Sequence, residues 1–158
     1  MRVFVTGASG FIGSSVSRRL VSDGDHVVGL ARSAESATII ESLGGSVVRG
    51  DIEDTALLAS CAAECDAVVH LAFNHDFSQF QRSGEVDLAA VQSMCRALEG
   101  TGKPFLNASG VLGLSPGRVG TETDQVPAAN SSPRTASVNS VIAAAKSGVR
   151  SANLRFAP

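Results

Sequence analysis

The sequence contains no tryptophan, no tyrosine and only two lysines, Lys103 and Lys146. Each scarcity excludes something. Without tyrosine, no phenol can serve as acid, base or nucleophile anywhere in the 158 residues. The 13 basic residues are scattered and the formal net charge is −2. No Lys/Arg block exists that could track a phosphate backbone, so no nucleic-acid partner is expected. The three cysteines include no Cys-x-x-Cys pair, and an odd count argues for a reducing compartment and against a disulfide framework. Cys61 and Cys65 read as small hydrophobes on one helix face, and no metal site is expected. No apolar run reaches the ~18 residues of a membrane span. Met1-Arg2-Val3-Phe4-Val5 leads straight into Thr6 and Gly7, unlike a secretory signal. The expectation is a soluble cytoplasmic protein with no membrane partner.

Hydrophobic residues make up 44% of the chain and charged residues 18%, with 16 glycines. This is a globular composition, and the length predicts one domain over 1–158. Short β-branched runs alternate with helical patterns. Strands are predicted at 2–6, 26–31, 46–50, 66–71, 104–108 and within 149–156. Between them, Ile12, Val16 and Leu20 mark a first helix and Ile39, Ile40 and Leu43 a second, stopped by Gly44-Gly45. Asp54 reads as the N-cap of a third helix carrying Leu57, Leu58, Cys61 and Cys65. Residues 73–85 read as a polar loop dotted with Phe73, Phe77 and Phe80. A helix with Val91, Met94, Cys95 and Leu98 as its stripe follows over 86–99. Residues 110–132, rich in Gly, Pro, Ser and Asn, read as one long loop. The last helix, 134–147, is assigned the face Val138, Val141, Ile142 and Ala145. The alternation predicts an α/β fold of the doubly wound Rossmann type, a parallel sheet with helices on both faces.

The most specific motif is Thr6-Gly7-Ala8-Ser9-Gly10-Phe11-Ile12-Gly13, placed directly after the first strand and opening the first helix. Gly7 suits a tight turn, Gly10 lets backbone approach a pyrophosphate, and Gly13 lets helix and sheet pack closely. The helix N-terminus then offers free N–H groups and a positive dipole end to phosphates. A turn used for packing alone is the plainer alternative. An NAD-type ribose calls for an acid at the end of the second strand. This chain has Leu30-Ala31-Arg32-Ser33 there, and Arg32 can meet a 2′-phosphate with its guanidinium fork. NADP(H) is therefore favoured over NAD(H), against the alternative of a solvated surface arginine. Asp51-Ile52, after the third strand, is placed to border the adenine, although Asp51 also fits a turn or cap.

With these elements in place, the sequence resembles the extended short-chain dehydrogenase/reductase superfamily, in its NAD(P)-dependent epimerase/dehydratase branch. The resemblance is carried by TGASGFIG at 6–13, GLARS at 29–33, RGDIED at 49–54, VVHLAF at 68–73 and SGVRSANLR at 147–155. It implies an NADP(H) cofactor held by Thr6, Gly7, Ser9, Gly10, Phe11, Ile12, Gly13, Arg32, Ser33, Asp51, Ile52, Leu71 and Ala72. It further implies hydride chemistry on a carbonyl or alcohol. His70-Leu71-Ala72 would line the middle of the cofactor, and Ser109 falls near the family's catalytic serine. The family's Tyr-x-x-x-Lys, however, aligns with Arg134-Thr135-Ala136-Ser137-Val138. A shifted register, Ile142 to Lys146, keeps a lysine but still no phenol. Lys146 also reads as a cation meeting the end of a helix dipole. The family continues beyond the sixth strand into a small substrate-binding lobe, which is expected to be missing here. Members often dimerise through the helices at 86–99 and 134–147, so a homodimer is a further expectation. Neither helix carries an apolar stripe beyond what the sheet would bury.

Reducing a carbonyl needs a proton donor or strong electrostatic stabilisation near the forming alkoxide. The groups left for that task are Ser109, Arg134, and His75 in the polar loop Asn74-His75-Asp76. His75 has a suitable pKa class, whereas Arg134 stays protonated and donates poorly. Two readings stand. One is an NADP(H)-dependent oxidoreductase or epimerase-like enzyme, acting on an unidentified small molecule, with an altered acid–base residue. The other is a non-catalytic NADP(H)-binding module, a sensor, partner subunit or truncated relative.

Overall fold

The computed structural model describes residues 1–111, 114, 117–124 and 132–156. Six strands form one all-parallel sheet: β1 (Arg2–Thr6), β2 (His26–Ala31), β3 (Ser46–Arg49), β4 (Ala67–His70), β5 (Pro104–Gly110) and β6 (Arg150–Phe156). Their order is β3-β2-β1-β4-β5-β6, the doubly wound order in which the direction of strand addition reverses between β1 and β4. The fold is the Rossmann-type α/β fold the alternation predicts.

Among the described residues, five α-helices connect the strands: α1 (Phe11–Ser22), α2 (Ala34–Ser42), α3 (Thr55–Glu64), α4 (Phe80–Ala97) and α5 (Pro133–Ala144). On one face, Val3, Val5, Val27 and Ile40 form a core under α1 and α2. On the other, Phe4, Leu58, Val68, Met94 and Phe105 pack under α3, α4 and α5. Full burial of such side chains is worth ~1.5–3 kcal/mol each, which holds the strand ends in fixed positions relative to one another. Local signals set the helix starts. Asp54 Oδ1 accepts from the Leu57 N–H at 3.0 Å, and Ser132 Oγ accepts from the Thr135 N–H at 3.1 Å, with Pro133 opening α5. All three cysteines are buried free thiols, and burial pushes Cys95 up to about 12. No helix among the described residues is long and apolar enough to cross a membrane.

The structure corrects three sequence expectations. The predicted loop over 73–85 contains a 3-10 turn at Phe77–Gln79 and then α4, which begins at Phe80. The first turns of α4 bury Ser83, Gly84 and Asp87 against α5 instead of an apolar stripe, so hydrophobic periodicity is silent there. A Cβ on Gly84 would stand 2.8 Å from Pro133 Cβ, so this crossing is closely packed. The buried face of α5 is Ser137, Val138, Val141 and Ala144. Ile142 points outward, 51% exposed, and Ala145 is exposed in a terminal 3-10 turn. Finally, β5 runs to Gly110, two residues beyond its predicted end. Of the long loop expected over 110–132, residues 112, 113, 115, 116 and 125–131 lie outside the described residues. Its 117–124 part is held by an Arg118–Asp124 ion pair at 2.7 Å and by Arg155, which donates to the Thr121 and Asp124 carbonyls.

Candidate functional site

A cleft of about 590 Å³ opens at the carboxyl ends of the strands, where the strand order reverses. Its floor is the glycine turn. Gly7 sits at φ +70°, and a Cβ there would come within 2.8 Å of the Ala72 nitrogen, so the turn presses directly against the chain leaving β4. A Cβ on Gly13 would lie 1.9 Å from the Gly7 carbonyl oxygen, which makes this the closest helix–turn approach. At Gly10 a Cβ would meet only the Gly7 oxygen, at 3.3 Å. Gly10 caps α1 without a side chain, leaving the first helical N–H groups, Phe11 to Gly13, without partners inside the helix. Phe11 is 95% exposed and Ile12 39%, an unusual display of apolar side chains at a cleft mouth.

One end of the cleft is electropositive. Arg32 and Ser33 follow β2, and Ser33 caps α2 through a capping box with Ser36. The Ser36 N–H donates to Ser33 Oγ at 3.1 Å and the Ser33 N–H to Ser36 Oγ at 3.0 Å. Arg49, at the end of β3, donates to the Ser33 carbonyl at 2.6 Å and fixes this corner from behind. Gly50, Asp51 and Ile52 form the adjoining wall. Asp51 also accepts from the Glu53 N–H at 3.2 Å, so it serves as a turn residue and a wall residue together.

The other end is built differently. Thr6, His70, Asn107 and Asn153 occupy adjacent register positions on β1, β4, β5 and β6, a polar row across four largely apolar strands. Thr6 Oγ1 accepts from the Leu71 and Ala72 N–H groups, both at 3.2 Å, and meets His70 Nδ1 at 2.7 Å. With two amides donating to it, the hydroxyl has its own proton left for His70 Nδ1. The other ring nitrogen, Nε2, then donates to Asp87 Oδ1 at 3.3 Å. The same carboxylate oxygen accepts from Arg134, whose second terminal nitrogen donates to the Ala108 carbonyl at 2.6 Å. Asp87 is fully buried. Burial works against its charge, but the hydrogen bond from His70 and the positive guanidinium of Arg134 outweigh it and hold the carboxyl below its ordinary range. The Arg134 guanidinium also lies 4.3 Å over the Phe73 ring. Phe73 lines the cleft beside Asn74 and His75, and its ring meets His75 at 5.5 Å and Phe80 at 6.2 Å.

The structure thus gathers Gly7, Ser9, Gly10, Phe11, Ile12, Gly13, Arg32, Ser33, Asp51, Ile52, Leu71, Ala72 and His75 around one cleft. Thr6 and His70 are not on its surface. Thr6 is buried behind the turn, and His70, expected at the middle of the cofactor, is 1% exposed and turned inward to Asp87. Ser109 is 6% exposed, accepts from Asn153 Nδ2 at 2.7 Å and is not among the cleft-lining residues. Arg134 is likewise behind the wall, with the contacts just described. Lys146 is exposed in the 3-10 turn that ends the α5 segment, away from the cleft-lining residues. The residues sequence reading passed over are Phe73, Asp87, Asn107 and Asn153. A faint signal exists for the last two and His70: one polar residue at the same step of each apolar strand. For Asp87 the signal is an acid in phase with the buried stripe of α4.

The profile of the NAD dependent epimerase/dehydratase family matches residues 3–156. An uncharacterized protein of Saccharomyces cerevisiae is 47% identical over 128 residues, covering 80% of this chain and 43% of its own. One of Schizosaccharomyces pombe is 40% identical over 159 residues, covering 100% of this chain and 54% of its own. The chain therefore spans about half the length of these curated relatives. Among solved structures, a double mutant of the dTDP-glucose 4,6-dehydratase DesIV from Streptomyces venezuelae, with NAD bound, superposes with a TM-score of 0.76 at 24% identity. The match covers 98% of this chain and 55% of that one.

Proposed function

This chain belongs to the NAD dependent epimerase/dehydratase family, and from that premise we propose that it is the NADP(H)-binding unit of an oxidoreductase or epimerase-like enzyme acting on a carbonyl or alcohol of a small molecule. The carrying observation is the cleft itself, with a glycine turn at its centre and Arg32, Ser33 and Ser36 at one end. Its volume lies in the ~300–1,000 Å³ range of cofactor sites. Only the Gly7 oxygen stands near a Cβ built on Gly10, so the cradle is open on the side where a pyrophosphate would lie. The unpartnered amides of Phe11 to Gly13 would hold the phosphates. The exposed Phe11 and Ile12 side chains would be covered by the bound dinucleotide.

NADP(H) is preferred over NAD(H) on charge. Arg32, the Ser33 and Ser36 hydroxyls and the N-terminus of α2 converge where a 2′-phosphate would sit, and the nearest carboxylate after β2, Glu35 in the first turn of α2, is not among the cleft-lining residues. The bound nicotinamide supplies or accepts hydride. His75 is the titratable group on the opposite wall and takes the acid–base role that a tyrosine would otherwise fill. The intact protein with NADPH and a panel of aldehydes and ketones is expected to show loss of nicotinamide absorbance. His75→Ala should then lower turnover about 10²–10⁴-fold while leaving NADPH affinity within a few-fold. Turnover untouched by that substitution removes His75 from the reaction.

A second reading, a cofactor-binding module without turnover, is favoured by one observation. Arg134 stands where the resemblance puts tyrosine, and its terminal nitrogens are engaged with Asp87 and Ala108. Saturable NADPH binding with no turnover on any substrate is its expected result.

A further inference from the structure

We propose that Asp87 and Arg134 are positioning residues for the wall of the cleft formed by residues 71–75, and through it for the nicotinamide half of the dinucleotide. The inference rests on the reading above. The glycine turn lies at the centre of the cleft and Arg32 at one end, so a dinucleotide with its adenosine on Arg32 extends its other half over β4 toward Leu71, Phe73 and His75.

Two supports of that wall lead back to the same atom. At its start, the Leu71 and Ala72 amides are held by Thr6 Oγ1, whose hydroxyl meets His70 Nδ1. At its middle, the Phe73 ring lies under the Arg134 guanidinium. Both supports end on one atom, Asp87 Oδ1, which accepts from His70 Nε2 and from Arg134. The carboxylate fixes the imidazole tautomer on one side and the plane of the guanidinium on the other. The second Arg134 bond, to the Ala108 carbonyl, stops the guanidinium from rotating about the first. Arg134 is thus an immobilised cation 4.3 Å over a cleft-lining ring, held by a two-bond fork that a lysine ammonium cannot reproduce. Among the described residues, Thr6 is the side chain that links this network to the glycine turn, and the Leu71–Ala72 backbone, which Thr6 holds, is the part of the wall that packs on Gly7. Disturbing the network should loosen one half of the cleft and leave the other intact.

The test uses two ligands on the intact protein, NADPH and 2′,5′-ADP. The second carries the adenosine, the 2′-phosphate and one phosphate of the first but no nicotinamide half. In Arg134→Gln, NADPH affinity should fall about tenfold while 2′,5′-ADP binds as to wild type. Phe73→Leu should show the same split. The double substitution should cost no more than the larger single one, because Arg134 acts through Phe73. If Arg134→Gln fails to fold, Arg134→Lys decides. It keeps a cation for Asp87 but loses the planar fork, and should show the split to a smaller degree. Equal weakening of both ligands, no weakening of either, or additive losses in the double variant overturns the positioning role. A wild-type protein that binds neither ligand overturns the functional reading itself, a distinguishable failure.

Discussion

The two halves of the cleft are made by different means. The half that would receive adenosine and pyrophosphate is built on local backbone, a turn and a helix N-terminus within residues 7–13 and a second helix N-terminus capped by Ser33, with Arg32 as its charged side chain. The half that would receive the nicotinamide is made of side chains from distant segments. Thr6 and His70 are 64 positions apart, His70 and Asp87 17, Asp87 and Arg134 47. Backbone donors need no support beyond the turn that aims them. Side-chain walls need a second layer to hold them, and here that layer is a buried charge pair. One half is thus fixed by sterics and the other by electrostatics, so they should fail under different insults.

The largest effect is expected in the first half. Gly13→Val places its Cβ against the Gly7 carbonyl, 1.9 Å away in the present backbone, where no flexible side chain can yield. It should cost more than ~3 kcal/mol in urea unfolding and abolish NADPH binding. Gly10→Ala is the control. It should cost only about 1 kcal/mol of stability, from the loss of the N-cap glycine, and weaken NADPH far more than that cost explains, because its methyl would occupy the side open to the pyrophosphate. Next comes the second half. Asp87→Asn leaves Arg134 with an uncompensated, mostly buried charge and should destabilise by about 3–5 kcal/mol. Its pH dependence has a definite sign. The folded carboxyl lies below its ordinary 3.8, so its stabilisation is fully present above that pH and is lost as pH falls through the folded value. Asp124, held at about 2 chiefly by its bond from Arg118, contributes to the same acid limb. Unfolding midpoints of the D87N and D124N chains between pH 2 and 5 (roughly, the span set by linkage) separate the two. Each should flatten part of the wild-type acid slope, and a D87N slope identical to wild type would contradict the buried pair's role.

The same division explains what could be read from the sequence. TGASGFIG reports its structure because glycine spacing, strand and helix are contiguous and each residue's task is local. Arg32 and Ser33 were legible for the same reason, at a fixed step beyond the turn. The doubly wound parallel sheet followed from alternation and handedness. The start of α4 was not legible, because Ser83, Gly84 and Asp87 pack against α5 and break the apolar stripe that announces a helix. The face of α5 was misread because Ser137 faces inward and Ile142 outward, against the hydrophobic pattern. Arg134 looked like a cleft residue because alignment supplies a position along the chain but not a direction. Its direction is set by Asp87, which nothing local to Arg134 reveals.

Smaller effects sharpen the comparison further. Arg32→Asp removes the partner of a 2′-phosphate and supplies an acceptor for a 2′-hydroxyl. Calorimetric titration should show the NADPH-to-NADH preference shifting by about tenfold or more toward NADH, at little cost in stability. The smallest effect separates cap from site. Ser33→Ala and Ser132→Ala should each cost ~1 kcal/mol of stability by uncapping α2 and α5. Only Ser33→Ala should also weaken NADPH, because Ser33 lines the cleft.

Thermal unfolding of the intact protein with each nucleotide is the most direct test of NADP(H) binding in the cleft. At 100 times its Kd, NADPH should stabilise the fold by about 2.7 kcal/mol, with NADH at the same concentration giving a distinctly smaller rise in Tm. An unchanged Tm at millimolar NADPH, or equal shifts from the two nucleotides that persist in Arg32→Asp, would contradict it.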